Sequence, residues 1–214
     1  VPDQFTSSTF CGIENIEHPE DKVFTIDDFE YRISGQSVTL ISAKCPTEQT
    51  ELSIPQTVTN DNSIYDVIAI GDNVFKNCRN WIGEIKIPKS ILTIGKYAFG
   101  QCYGFTGDLN LPDQITEIGD NVFRLCNNLN GNLHLPSNLK TIGMNAFFQC
   151  TKLIGDLTIP NGVTSIGSQA FKMCKGFNGQ LYIPNTITSI KYSAFSECSG
   201  LTGDLKIPDS IIVI

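Results

Sequence analysis

The sequence predicts an α/β repeat solenoid, a chain wound into stacked coils rather than folded around one centre. Three residue types returning at one interval predict it. The dipeptide Ile/Leu-Pro ends at Pro88, Pro112, Pro136, Pro160, Pro184 and Pro208, a step of 24 residues. The cysteines Cys78, Cys102, Cys126, Cys150, Cys174 and Cys198 keep the same step, as do Gly83, Gly107, Gly131, Gly155, Gly179 and Gly203. A fixed period in the twenties marks an architecture whose single unit cannot close a core and must stack on its neighbours. The unit, written hxGxLxhPxxhxxIGxx[AV]FxxCxx with h apolar, fills residues 84–214 in five whole copies and one part copy.

Each part of the unit has a physical reading. Leu157-x-Ile159 alternates apolar and polar, so it reads as a short strand with both apolar side chains pointing inward; Val163 and Ile166 then line the following turn region. The glycine ahead of the strand is expected to supply a positive φ, and the proline behind it ends ladder pairing because it has no N–H. Segment 170–174, AFKMC, is expected on the opposite, convex side as a short helical or irregular segment. Phe171 and Cys174 are three apart, so both can face inward. Strands stacked at ~4.8 Å would form a concave parallel sheet roughly 30 Å long.

Residues 51–83 read as a first copy stretched by insertion, since Pro55 precedes Pro88 by 33 residues, and such insertions map to loops. Within 26–50, FEYRISGQSVTLISA alternates around Gly35-Gln36 and predicts a β-hairpin that caps the open N-terminal edge of the stack. Residues 1–25, with Cys11, show no period and read as an arm. At the other end Ile211 and Ile214 occupy core positions of an incomplete copy. The expectation there is a piece of a longer repeat protein, or an uncapped coil that self-associates end to end with another chain.

The segments IPNGVTSIGSQAFKMC, LPDQITEIGDNVFRLC and IPNTITSIKYSAFSEC carry the pattern IPxxVTxIGxxAFxxC. It resembles the BspA-like, or Treponema-type, leucine-rich repeats of surface proteins in bacteria and protozoan parasites, over about two thirds of the chain. The resemblance implies a right-handed leucine-rich repeat coil, an N-terminal cap, a secreted or cell-surface location and an adhesive, non-enzymatic role. Two features depart from it. The 24-residue unit has one residue more in its Gly-Asp-Leu region, and Lys191 replaces the glycine that follows isoleucine in other copies, removing the residue best suited to a positive φ at that turn.

A formal charge of −7, with no cluster of the 15 lysines and arginines along the chain, argues against a nucleic-acid or anionic-membrane surface. No run of eighteen apolar residues could span a bilayer, so membrane insertion is not expected. The start VPDQFTSSTF lacks the basic and apolar regions of a signal peptide, and no Asn-x-Ser/Thr sequon occurs.

The six in-register cysteines are expected to form a buried column of thiols, since free cysteine behaves as a small hydrophobe. Equal spacing gives none of them a preferred disulfide partner, and a line of thiols does not converge on a metal ion. The off-period Cys11 and Cys45 are the better disulfide pair in an oxidising compartment; the alternative is free thiols in the cytosol. Replacing Cys150 by serine should cost roughly 1 to 3 kcal/mol if the hydroxyl finds no partner.

Nothing in the chain has the pattern of an enzyme or implies a cofactor. It has two histidines, His18 and His134, no nucleophile, metal-hydrolase or phosphate-loop motif, and its periodic thiols belong in the core. The column Glu84, Asp108, Asn132, Asp156, Gln180 and Asp204 mixes acids and amides along a line, which suits a solvated rim better than a calcium site. Function is therefore sought in the residue between the two inward apolar positions of each strand: Lys86, Asn110, His134, Thr158, Tyr182 and Lys206. These point onto the concave face, and concave faces are how solenoids bind proteins. The leading expectation is a non-enzymatic protein-binding module, with adhesion supplied by the resemblance alone. A structural spacer within a larger surface protein is the second, and a polysaccharide-binding protein, with Tyr182 the single aromatic in the row, the third.

Overall fold

The computed structural model describes residues 22–212, and the elements found there are strands joined by turns. Val23–Ile26 (β1), Phe29–Ser34 (β2) and Ser37–Ala43 (β3) form an antiparallel meander, with Gly35 at a φ of 60° closing the second hairpin. Thr50–Ser53 (β4) is the first concave strand. Thr57–Asn60 (β5) and Ser63–Ile70 (β6) pair antiparallel about Asp61-Asn62, both at positive φ, and β6 also pairs parallel with β3. The cap is thus larger than a hairpin. It begins at Val23, and the insertion expected to be a loop supplies two of its strands, because TVTN-DN-SIYDV alternates about a turn that asparagine and aspartate tolerate. The remainder of the expected arm, including Cys11 and His18, lies outside the described residues.

The coils that follow have three walls. Trp81–Lys86 (β7), Thr93–Ile94 (β8), Leu109–Asn110 (β9), Glu117–Ile118 (β10), Leu133–His134 (β11), Thr141–Ile142 (β12), Leu157–Thr158 (β13), Ser165–Ile166 (β14) and Leu181–Tyr182 (β15) alternate between two of them. On the concave wall β4, β7, β9 and β11 pair parallel in that order, and β13 pairs with β15. On the lateral wall β8 continues the cap sheet by pairing with β6, and β10, β12 and β14 form a second parallel run. One apolar cluster runs through the interior, from Tyr31 in the cap to Ala194.

The third, convex wall takes the irregular form and contains no helix. Two residues per coil sit in the left-handed region, at 73, 97, 121, 145, 169 and 193 and again at 77, 101, 125, 149, 173 and 197. A right-handed helix cannot contain them. Their effect is to turn successive amides in alternate directions. In the fourth coil the N–H groups of Asn145, Phe147 and Gln149 donate to Ser168, Ala170 and Lys172 of the next coil at 2.8–3.0 Å. Those of Phe148 and Cys150 close turns onto Asn145 and Phe147 within the coil, both at 3.1 Å. The wall is a hydrogen-bonded stack of turns, satisfying the amides that a buried loop would orphan.

Beneath it Phe75, Phe99, Phe123, Phe147, Phe171 and Phe195 stack with ring centroids 5.0–5.6 Å apart and planes within 17° of parallel. The thiols of Cys102, Cys126, Cys150, Cys174 and Cys198 each reach the carbonyl oxygen of the phenylalanine 27 residues earlier, at 2.8–3.1 Å. They therefore cross-link coils through hydrogen bonds as well as filling space. Cys78 is the exception. The position 27 residues before it is Glu51 in β4, which offers no phenylalanine carbonyl, and Cys78 is instead disulfide-bonded to Cys45 just beyond β3. This corrects the expected Cys11–Cys45 pairing and removes Cys78 from the thiol column. The bond ties the cap to the first coil across 33 residues, a loop whose closure contributes roughly 3 to 4 kcal/mol in the chain-entropy account.

The glycines divide into two roles. Gly83, Gly107, Gly155 and Gly203 have φ of 78–80°, as expected, whereas Gly131 and Gly179 are not at positive φ. The glycine after isoleucine serves close approach in some coils rather than φ: a Cβ at Gly143 or Gly167 would lie 2.5 Å from backbone carbon of the coil before, whereas at Gly119 the nearest atom is 3.6 Å away. Next to Lys191 the lateral pairing is the single bridge Ile166–Ile190. Beyond β15, Leu205 and Ile207 are exposed and border an apolar cleft of about 630 Å³ with Leu181, Ile183 and Phe195.

Burial pushes the Cys102 thiol up to about 12 and that of Cys198 up to about 11, and holds Cys126, Cys150 and Cys174 well above the ordinary 9.0. The neutral thiol is the form the core accepts. Its contribution to stability is complete below the unfolded thiol value and is lost as pH rises through the folded values. The melting temperature should therefore be level between about pH 6 and 8 and fall from about pH 9 upward, as a thermal scan across pH will show. Because the Phe123 carbonyl already faces position 150, Cys150→Ser should cost only about 1 kcal/mol in urea titration, the foot of the range for an unpartnered hydroxyl.

Candidate functional site

The concave row is assembled by strand register. Ser53 lies opposite Lys86, Lys86 opposite Asn110, Asn110 opposite His134, and Thr158 opposite Tyr182. All six expected residues, Lys86, Asn110, His134, Thr158, Tyr182 and Lys206, are exposed, Tyr182 at 47%. Lys206, however, lies in no strand, and its neighbours Leu205 and Ile207, expected inward, are themselves exposed because no further coil packs on them among the described residues. In β9, β11 and β13 the residue before the outward one is buried, the two-residue alternation that a pleated strand imposes. Ser53 extends the row by one coil. Its signal was present in Leu52-x-Ile54 ahead of Pro55, where Leu52 and Ile54 are both buried.

The row is not one flat sheet. Strand pairing is interrupted between β11 and β13, where the coils are joined by the bridge Asn132–Ile154, and a cleft of about 620 Å³ opens there with His134, Ser137, Asp156, Thr158 and Asn161 on its walls. Smaller notches of about 350 and 390 Å³ lie at Asn110 and Asp113, and at Tyr182, Asn185 and Lys206. Each sits between an outward strand residue and the turn after its proline. The phenolic oxygen of Tyr182 hydrogen-bonds Gln180, which fixes the ring's orientation at the edge of one notch.

Two members of the acid and amide column beside the row, Asp108 and Asp156, have a definite job, shared by the nearby Asn130 and Asn178. Asp108 Oδ1 accepts the N–H of Asn132 and Asp156 Oδ1 that of Gln180, both at 2.7 Å, while Asn130 and Asn178 accept from Gly107 and Gly155 at 2.8 and 2.9 Å. On other edges Asp72, Asp113 and Asp120 accept the amides of Lys96, Ser137 and Met144 at 2.7–2.9 Å. Asp113 also takes the Ser137 hydroxyl, and these two bonds hold its carboxyl below the usual range. The carboxylates clip one coil to the next. Among the described residues no three His, Cys, Asp or Glu side chains gather into a metal-binding group, and no helix is long and apolar enough to cross a membrane.

The BspA type leucine-rich repeat region matches residues 43–178 and 177–214, in six copies. The chain belongs to the BspA-type leucine-rich repeat family. A leucine-rich repeat protein of Bacteroides ovatus is similar at 33% identity with a TM-score of 0.74, over 83% of this chain and 45% of its own. This chain thus spans less than half the length of that relative. The leucine-rich repeat protein of Treponema pallidum shares the fold, with a TM-score of 0.73 at 24% identity over 88% of this chain and 84% of its own. Among curated proteins nothing matches. Within a BspA-type coil the phenylalanines, thiols and clipping aspartates hold coils together and the proline carbonyls close turns within their own coil. The concave row, like Thr93 and Glu117 on the lateral wall, consists instead of outward strand residues that the core does not engage.

Proposed function

We propose that the chain is a non-enzymatic protein-binding module of a secreted or cell-surface protein, engaging its partner through the concave row. One observation carries this reading. At equivalent strand positions the exposed residue changes from coil to coil, through Lys86, Asn110, His134, Thr158 and Tyr182, while the residue before it stays apolar and inward; Lys206 continues the sequence pattern beyond the last strand. Aromatic, basic and amide side chains on a rigid sheet suit recognition of a protein surface, with an aromatic anchor among adaptable polar contacts. The notches between outward residues and proline turns give a partner's side chains places to enter.

The Cys45–Cys78 disulfide supports the location, since such bonds persist outside the reducing cytosol. Adhesion to host or neighbouring-cell proteins is the form of binding the family suggests. A spacer role, in which the stack only holds another part of a longer protein at a distance, needs no exposed row of this kind.

The triple variant Lys86→Ala, His134→Ala, Tyr182→Ala tests it. All three side chains are exposed, so melting should stay within about 2 °C of the parent. Capture on a panel of purified extracellular-matrix and cell-surface proteins should weaken by at least about tenfold, the effect of losing one or two interface anchors. Unchanged capture would assign binding elsewhere, and no capture by the parent on any of them would favour the spacer.

A further inference from the structure

The solenoid separates its charges by wall. The convex turns of the first five coils, residues 73–80, 97–104, 121–128, 145–152 and 169–176, carry Lys76, Arg79, Arg124, Lys152, Lys172 and Lys175 and no acid, although the chain has 22 acids against 15 lysines and arginines. The sixth turn adds Glu197, 3.8 Å from Lys175. In the sequence these cations look scattered; the 24-residue interval gathers them on one side. A surface made only for solubility intersperses both signs. Here Asp72, Asp108, Asp113, Asp120 and Asp156 accept amides of the next coil, Asp72 and Asp120 from the corners that immediately precede the first and third convex turns.

Three cations are also held in place. Lys76 Nζ lies 4.5 Å from the centre of the Tyr97 ring, the Arg79 guanidinium 5.0 Å from that of Tyr103, and the Arg124 guanidinium 5.3 Å from that of Phe148. Each ring belongs to the coil after its cation. The attraction of a cation to an aromatic face restrains long side chains that would otherwise lose rotamer freedom on binding. Lys76, Arg124 and Lys172 share one position in alternate coils, so they recur at twice the 5.0–5.6 Å spacing of the phenylalanine stack beneath them.

We propose that the convex wall binds an extended anionic polysaccharide lying along the solenoid axis. A wall that bulges outward cannot enclose a compact ligand, so the partner must gain its contacts by running along it. The interval between cations selects among polyanions. Phosphates on one strand of DNA recur at ~3.4 Å. Side chains on one face of an extended polypeptide recur at ~7 Å. A polysaccharide with sulfate or carboxylate groups on alternate rings has the coarser interval that alternate coils match, and its sugar faces can lie against the half-exposed Tyr103 and Phe148. Four of the six cations are lysines, point charges that meet a sulfate without needing a planar fork. The site is separate from the concave row and stands whether or not that row binds protein.

The test is fluorescence anisotropy of the whole chain with labelled hyaluronan, whose carboxylates stand on alternate rings, at low salt. Binding should weaken steeply with added salt, and poly-L-glutamate or duplex DNA at equal charge should compete at least about tenfold less well, as the interval requires. The variant Lys76→Gln, Arg124→Gln, Lys172→Gln should bind at least about tenfold more weakly, whereas Lys86→Gln, Lys206→Gln on the concave row should change affinity less than about twofold. Should the triple variant melt early, Arg79→Gln, Lys175→Gln provides the second reading, with a loss of about fivefold or more. Absence of binding by the parent, equal loss in convex and concave variants, or better competition by the polypeptide or DNA would overturn the proposal, the last two assigning the wall to general or other anion binding.

Discussion

The structure depends on one constraint, that the backbone amides under the convex turn must find carbonyls in their own or the next coil while the chain reverses direction over a stack of phenylalanines. Two left-handed residues per coil meet it by pointing alternate N–H groups into the next coil and the others back onto their own. That sets the coil spacing, and with it the near-parallel ring stack and the reach of each thiol to the carbonyl 27 residues earlier. Because the contact repeats, each coil is stabilised by its neighbours rather than by itself. The ends then need separate treatment. At the N-terminal end a mixed sheet covers the first coil and the Cys45–Cys78 disulfide replaces the hydrogen bond that Cys78 has no phenylalanine carbonyl to make.

The same economy of residues separates scaffold from surface. Leucine, proline, phenylalanine and cysteine positions are committed to the interior, and the aspartates at 72, 108, 113, 120 and 156 are committed to clipping amides. What varies freely is the outward strand residue and the exposed part of the convex turn. The first gives a mixed polar and aromatic row on a rigid sheet, the second a wall of positive charge on an acidic protein. A partner on one wall does not obstruct the other.

Much of this was legible in the letters. Alternation in Leu157-x-Ile159 placed Thr158 outward, and the interval placed Tyr182 beside it, as the β13–β15 register shows. The turn wall was less legible because Phe171 and Cys174, three apart, face inward equally well from a helix or from tandem turns. The residues that decide it, such as Leu125, Gln149 and Met173 at positive φ, have no glycine to advertise them. The disulfide was hidden because Cys78 stands in register with thiols that behave otherwise, and only its place in the first coil distinguishes it. At Lys191 the sequence raises a question of φ, whereas at the equivalent Gly143 and Gly167 it is the distance to the coil before that excludes a Cβ. The convex charge was invisible to a search for clusters along the chain, since residues 24 or 48 apart become neighbours only after winding.

Amide hydrogen exchange on the convex turns tests the central claim most directly. The N–H groups of Phe123, Leu125, Phe147 and Gln149, each bonded to the following coil at 2.8–2.9 Å, should exchange as slowly as those of Leu109 and Leu157 in the concave strands, opening only with the stack as a whole. Exchange of the four at open-turn rates while the strand amides stay protected would contradict it.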